Sequence, residues 1–272
     1  MKSTSTLYRY GLLLFCLFLT SISLLAQEEQ QISEADLLAK ELQNPVASLI
    51  SVPFQFNYDW GFDPYNGSRM LLNIQPVVPL SISEDWNLIA RVILPVIWQN
   101  DVVNTNSQFG LGDAVLSTFF SPKKPTAGGL TWGVGPVLLV PTATKALLGG
   151  EKFGIGPTVV ALQQAGSLTI GALVNHTWSI AGDDNRSDVN ATFVQPFIAK
   201  NFPGGYALSF NTELAQDWEN DLTLGTINLT GSKVVSLGSQ MASVFIGPRI
   251  PYGNANRADF GVRFGIALLF PK

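Results

Sequence analysis

From Asp259 to Phe270 the chain alternates without a break. Phe260, Val262, Phe264, Ile266, Leu268 and Phe270 share one parity, and Asp259, Gly261, Arg263, Gly265, Ala267 and Leu269 share the other. Successive side chains of a strand point to opposite faces, so this stretch predicts a strand with one wholly apolar surface and one small or charged surface. The stretch 168–180 repeats the pattern, with Leu168, Ile170, Ala172, Val174, His176, Trp178 and Ile180 set against Thr169, Gly171, Leu173, Asn175, Thr177 and Ser179. Such alternation suits a lipid-facing wall and the inner face of a soluble sandwich equally well. Twelve strand-like segments follow residue 49, at about 50–60, 68–82, 86–98, 109–120, 130–142, 152–162, 167–180, 190–202, 206–218, 223–235, 240–251 and 259–270. Their lengths bracket the roughly 9–11 residues of a tilted membrane strand.

The connections add a second regularity. Joins after even segments are mostly tight, as in Ser83-Glu84-Asp85, Ala165-Gly166, Pro203-Gly204-Gly205 and Leu237-Gly238-Ser239. Joins after odd segments, at 61–67, 99–108, 143–151, 181–189 and 252–258, are longer and polar. Two depart from the rule: 121–129 is long for a turn and 219–222 is short for a loop. Short periplasmic turns alternating with longer outer loops describe an outer-membrane barrel whose two ends share the periplasmic side.

Tryptophan decides between lipid and a soluble core. Trp60, Trp98, Trp178 and Trp218 fall at the upper ends of odd segments, and Trp86 and Trp132 at the lower starts. Indoles collect at water–lipid interfaces because the ring prefers apolar surroundings while its N–H needs a partner. A sandwich core would hold some of them mid-strand. Proline is the counter-signal. Pro76, Pro95, Pro136, Pro157, Pro196 and Pro248 lie inside segments, three of them after glycine, and a closed barrel has no edge on which a missing donor is free. They are read as bulges or bends that help the sheet curl.

Composition agrees with a membrane protein: 13% of residues are charged, 46% are hydrophobic, and mean hydropathy is +0.24. Soluble domains average about 25% charged. Beyond residue 26 no apolar run reaches the ~20 residues of a spanning helix, which leaves the closed barrel as the structure that satisfies its backbone in lipid. A net charge of −4 and a pI near 5.0 exclude a basic nucleic-acid surface. The predicted fold is therefore an all-β, closed, antiparallel twelve-stranded transmembrane barrel with a short N-terminal helix.

Residues 1–26 read as a cleaved secretory signal peptide: Lys2 and Arg9 precede the apolar run 11–25, and Ala26 comes before Gln27-Glu28-Glu29-Gln30-Gln31. The single cysteine, Cys16, falls inside that run, so the mature chain carries no thiol. Residues 27–48 form an N-terminal periplasmic or plug segment. Within it Ser33 is a candidate N-cap with Asp36 three residues on, Leu38 and Leu42 share a helical face, and Pro45 ends the helix. A plug entering the barrel and a periplasmic tether are both open. Residues 49–272 are the barrel domain.

Short stretches resemble a family of outer-membrane proteins named for the MetA pathway of phenol degradation, many of whose members are labelled transporters. They are Leu38-Ala39-Lys40, Gln43-Asn44-Pro45-Val46-Ala47, Ile50-Ser51-Val52-Pro53, Gly110-Leu111-Gly112-Asp113, Phe119-Phe120-Ser121-Pro122, Gly156-Pro157 and Gln195-Pro196. The resemblance implies an outer-membrane barrel of a Gram-negative bacterium that passes small molecules, hydrophobic or aromatic ones among them. It carries over no catalytic or binding residue. The chain ends Phe270-Pro271-Lys272, whereas such barrels commonly end on the aromatic that the barrel-assembly machinery reads.

Eight strands leave a filled interior and about sixteen to eighteen an open aqueous channel, so twelve predict a narrow lumen. Its polar candidates are Asn73, Gln75, Arg91, Asp113, Asn175, Asn211, Glu213, Arg249 and Arg263. They either line a permeation path or act as ion-paired filler. The expected partners are outer-membrane lipid, a small-molecule solute and the assembly machinery, with no cofactor and no nucleic acid. Two alternatives are a non-conducting structural or adhesion barrel and an outer-membrane phospholipase-type hydrolase. The only histidine, His176, sits on an apolar face, with Trp178 two residues on where a serine nucleophile would be wanted, so a non-enzyme is expected.

Overall fold

The computed structural model describes residues 33–271; the signal-peptide reading and residues 27–32 lie outside it. Closure is made by the two ends of the sheet, as the alternation at the C-terminus requires of a wall without edges. β1 (Ile50–Phe62) and β14 (Phe260–Phe270) pair antiparallel from Ile50 opposite Phe270 to Trp60 opposite Phe260. Between them lie β2 (Gly67–Ile74), β3 (Val77–Ser81), β4 (Trp86–Asn100), β5 (Ser107–Leu111), β6 (Ala114–Pro122), β7 (Leu130–Val140) and β8 (Lys152–Ala165). They are followed by β9 (Leu168–Gly182), β10 (Asn190–Phe202), β11 (Tyr206–Asp217), β12 (Leu222–Leu237) and β13 (Gln240–Gly253). Apart from β2/β3 and β5/β6, neighbours in sequence are neighbours in the sheet, and all pairs are antiparallel. β2 with β3, and β5 with β6, are the halves of two broken crossings, so the wall has twelve crossings.

Those breaks correct the expected continuous strands at 68–82 and 109–120. In the first, Pro76 has no N–H, and the ladder is relayed by Gln75 N–H to Pro53 O (2.9 Å) and Val92 N–H to Pro76 O (3.1 Å). In the second, the Thr142 hydroxyl replaces ladder bonds, donating to Gly112 O (2.8 Å) and accepting from Ala114 N–H (2.9 Å). Elsewhere proline breaks the ladder on one side only. Pairing of β9 with β10 runs straight through Pro196 opposite Ala172, while β10–β11 skips from Val194/Leu214 to Phe197/Asn211. Pro248 pairs with Val262 on one side, and on the other β12–β13 skips from Asn228/Arg249 to Gly231/Ile246.

The faces fall as the alternation demands. Arg263 is 5% exposed and Leu269 1%, both turned inward, while Phe264 stacks on Phe56 on the outer wall (5.2 Å between ring centroids). Ile170, Leu208, Phe210 and Ile246 stand exposed on that wall, an apolar surface beyond what a soluble monomer tolerates. The tryptophans sit at its two rims. Trp60 packs on Phe260 and Trp98 on Phe109 at the outer end, and Trp86 meets Trp132 edge-on at the periplasmic end.

Both irregular joins have a local cause. The short outer one is closed by Asp217, whose carboxylate accepts from the N–H groups of Glu219 and Asn220. The long periplasmic one lies against the turn beside it, with Lys123 Nζ donating to Ser81 Oγ and Ser83 O.

The N-terminal helix α1 (Glu34–Leu42) opens with a capping box: Ser33 Oγ accepts from Asp36 N–H, and Asp36 Oδ2 accepts from Ser33 N–H. Its Leu38 and Ala39 pack with Leu49 against Val234, Ala267 and Leu269, inward side chains of β12 and β14. Gly205 N–H donates to Asp36 Oδ1 (2.8 Å) and Gln164 Nε2 to Lys40 O (3.0 Å). Past Pro45, Val46 is buried among Ile89, Phe119, Val160, Leu162 and Leu173. Residues 33–49 thus cross the barrel interior at its periplasmic end, from the β12–β14 wall to the β4–β9 wall at Val46 and back at Leu49.

Candidate functional site

Above this crossing segment the lumen widens into a cavity of about 400 Å³. Eight of the nine residues expected to face inward line it: Asn73 and Gln75 from β2 and its break, Arg91 from β4, Asn175 from β9, Asn211 and Glu213 from β11, Arg249 from β13 and Arg263 from β14. Asp113 stands apart. Its carboxylate accepts from the N–H groups of Ala143 (3.1 Å) and Gly150 (2.6 Å) and so holds the β7–β8 loop.

A charged lattice runs along one side of the cavity. Arg263 grips Glu213 with both terminal nitrogens (2.8 and 2.9 Å) and donates from Nε to Asn57 Oδ1 (2.8 Å). Arg249 bridges Glu213 (3.4 Å) and Asp59 (2.9 Å). Gln195 Nε2 and the Thr226 hydroxyl complete the shell of Glu213. The lattice ties β11 to β13, β14 and β1 across the concave wall, in the fork geometry that suits guanidinium to carboxylate. Asn57 and Asp59 were missed among the sequence candidates, although β1 alternates Gln55, Asn57 and Asp59 with Phe56, Tyr58 and Trp60. Arg69 was missed too, though its parity is that of Asn73 and Gln75. It lies outward of the lattice, over the Phe62 ring, and donates to Gln99 Oε1.

A second cavity of about 240 Å³ lies on the periplasmic side of the first and shares Gln75, Arg91, Gln195 and Asn211 with it. The rest of its wall includes Pro53, Val77 and Phe197 from the barrel and Leu42, Gln43 and Pro45 from the crossing segment, with Ser51 and Ser209 among its polar members. Gln43 is fastened there by the Ser209 hydroxyl.

His176 is on the outer wall near the outer rim. Its Nδ1 lies 2.7 Å from Thr192 Oγ1, which also accepts from the Trp218 indole N–H, and its ring is 4.1 Å from that of Trp178. The hydroxyl beside the histidine is thus a threonine already held by an indole. Among the described residues no serine is hydrogen-bonded to His176.

An apolar outer wall, rims of tryptophan and a polar, ion-paired lumen crossed by an N-terminal segment define the architecture of an outer-membrane β-barrel. Among solved structures the chain is similar to a COG4313 outer membrane channel from Pseudomonas putida F1, with a TM-score of 0.67 and 11% identity over 82% of this chain and 96% of that one. It also aligns with a KdgM porin in complex with oligogalacturonate, with a TM-score of 0.47 and 11% identity over 81% of this chain and 99% of that one. A third is outer membrane phospholipase A from Escherichia coli, with a TM-score of 0.46 and 10% identity over 81% and 96%. No protein-family model matches the chain, and no curated protein matches it by sequence.

Proposed function

We propose that the chain is an outer-membrane channel for small solutes, held nearly closed at rest by its own N-terminal segment. The observation that carries this reading is continuity: the polar cavity meets the smaller one at Arg91, and the smaller one is floored by Leu42, Gln43 and Pro45. A lumen packed solid would serve a scaffold as well. Two connected cavities along the axis, with a non-barrel segment across the way out, are better suited to a path with an obstruction. The lattice around Glu213 narrows that path further, since opposite charges attract strongly where water is scarce. Residues 38–40, 43–47 and 50–53 also carry part of the resemblance to the MetA-pathway family, many of whose members are labelled transporters, and this supports small, in part hydrophobic or aromatic, solutes. Secretion by a cleaved signal peptide and insertion by the barrel-assembly machinery belong to the same reading.

The test is solute uptake into vesicles that contain the full mature chain. Slow uptake of small aromatic solutes above the level of protein-free vesicles is expected. Uptake no faster than in protein-free vesicles, for ions and aromatic solutes alike, would sink the channel reading in favour of a structural barrel.

A further inference from the structure

The arginines of the lumen outnumber its carboxylates, and the surplus falls at two positions: Arg69, which lies over the Phe62 ring and donates to Gln99, and Arg91 at the cavities. Asp59 and Glu213 are both satisfied by Arg249 and Arg263. Arg91 belongs to no such pair. Among the described residues no carboxylate lies within ion-pair distance of it, and its one hydrogen bond is from Nη2 to Gln75 Oε1 at 3.0 Å. A guanidinium stays charged at any working pH, and within a barrel wall it needs a partner or water. Arg91 lines both cavities, so the guanidinium stands where they meet.

The surroundings of that junction are divided. Amides of Gln75, Gln195 and Asn211 stand with Arg91 on the upper side, and Pro53, Val77 and Phe197 form apolar wall below. Among the described residues the one acid lining the lower cavity, Glu41, is exposed, and Glu213 of the upper cavity acts on Arg91 only from beyond ion-pair distance, held as it is by Arg249 and Arg263. We propose that Arg91 is the anion-binding element of a site for small organic carboxylates, with the carboxylate on its guanidinium fork among the amides and the apolar body in the cavity of about 240 Å³. The fork donates two parallel N–H bonds to a carboxylate, and a neutral isostere accepts neither as well. The site names a solute class for the channel and rests on the lumen being the solute path.

Calorimetric titration of the full mature chain in detergent tests it, with benzoate and its neutral, similarly shaped counterpart benzamide as probes. Benzoate should bind about tenfold more tightly than benzamide, since charge-assisted hydrogen bonds are roughly twice as strong as neutral ones. Arg91→Gln should abolish that preference and Arg91→Lys should retain it, with both variants keeping the far-ultraviolet dichroism of a folded barrel. Equal affinity for the two probes, no heat from benzoate at millimolar concentrations, or an unchanged preference in Arg91→Gln would overturn the proposal. Equilibrium binding needs no conduction, so a protein that binds benzoate yet passes nothing keeps the site and loses the channel.

Discussion

Pro136 of β7 stands directly opposite Pro157 of β8, and the register between these strands runs unbroken through the pair. In an antiparallel ladder, alternate pairs turn their backbone groups away from each other. The two missing donors therefore face outward, to β6 and β9. There the pairing is interrupted: β6–β7 skips from Ser117/Val137 to Phe120/Val134, and β8–β9 from Ile155/Trp178 to Thr158/Asn175. The preceding glycine makes each bend possible. A Cβ on Gly156 would fall on the carbonyl oxygen of His176, and one on Gly135 on that of Thr118.

Gly156→Ala should accordingly lower stability by about 1–3 kcal/mol, the usual cost of forcing an extra methyl into packed structure. Pro157→Ala, which adds a donor without a clash, should cost less. Denaturant unfolding in lipid, followed by tryptophan fluorescence, checks the order. A Gly156→Ala barrel as stable as the wild type would mean that the close approach to β9 is not maintained.

Phe264→Arg places a charge on the outer wall, in the position now stacked on Phe56. Near the bilayer midplane the expected cost is about 2–4 kcal/mol. The same unfolding assay in lipid reads it, and a neutral result would mean that this face does not meet the acyl chains.

Glu213→Gln removes the carboxylate that Arg263 and Arg249 share. Stability should fall by about 1.5–3 kcal/mol, the range for hydrogen bonds to charged groups. Ion preference should also move toward anions, since two arginines would then face the cavity with less counter-charge. Reversal potentials in a salt gradient report the second effect. A loss of stability with unchanged selectivity would make the lattice structural filler only.

At the periplasmic end, the Ser33 hydroxyl and then the Gly205 N–H hold the Asp36 carboxyl below the usual carboxylate range. The Ser33 bond belongs to the helix cap and the Gly205 bond to docking, and a group so depressed contributes stability above its ordinary pKa and loses it as pH falls through the lowered value. Docking of α1 should therefore weaken as pH drops below about 4, the ordinary aspartate value. Acid should speed proteolysis of the N-terminal segment by an acid-active protease, and Asp36→Asn should show the faster rate already at neutral pH. No pH dependence in the wild type would dissociate the cap from the docking.

Much of the wall was legible because a strand between lipid and lumen must alternate. The parity of Arg263 and Phe264 set inside and outside, and the rims of tryptophan set the two ends. The breaks at Pro76 and Gly112 were not legible, because the effect of a proline depends on which neighbour its missing N–H would have faced. Pro95 sits within β4, opposite Asn73, without ending that strand, whereas Pro76 ends one. The site was half legible for a similar reason. Parity picked out Glu213, Arg249 and Arg263, but nothing in the one-dimensional pattern says that Glu213 reaches past β12 to both arginines. Asn57 and Asp59 were hidden in plain alternation between large aromatics. Whether residues 33–49 enter the barrel depended on contacts between Leu38 and Leu269, or Val46 and Phe119, far apart in sequence.

Obstruction of the lumen by the N-terminal segment is the central claim, and single-channel conductance in a planar bilayer tests it most directly. The mature chain is compared with one lacking residues 27–43, with dichroism verifying that both barrels are folded. The full chain should show small, infrequent openings, and the shortened chain larger and steadier ones, because the floor of the lower cavity and the packing of Leu38 and Ala39 on Ala267 and Leu269 are gone. Equal conductance, or silence from both, would contradict the account.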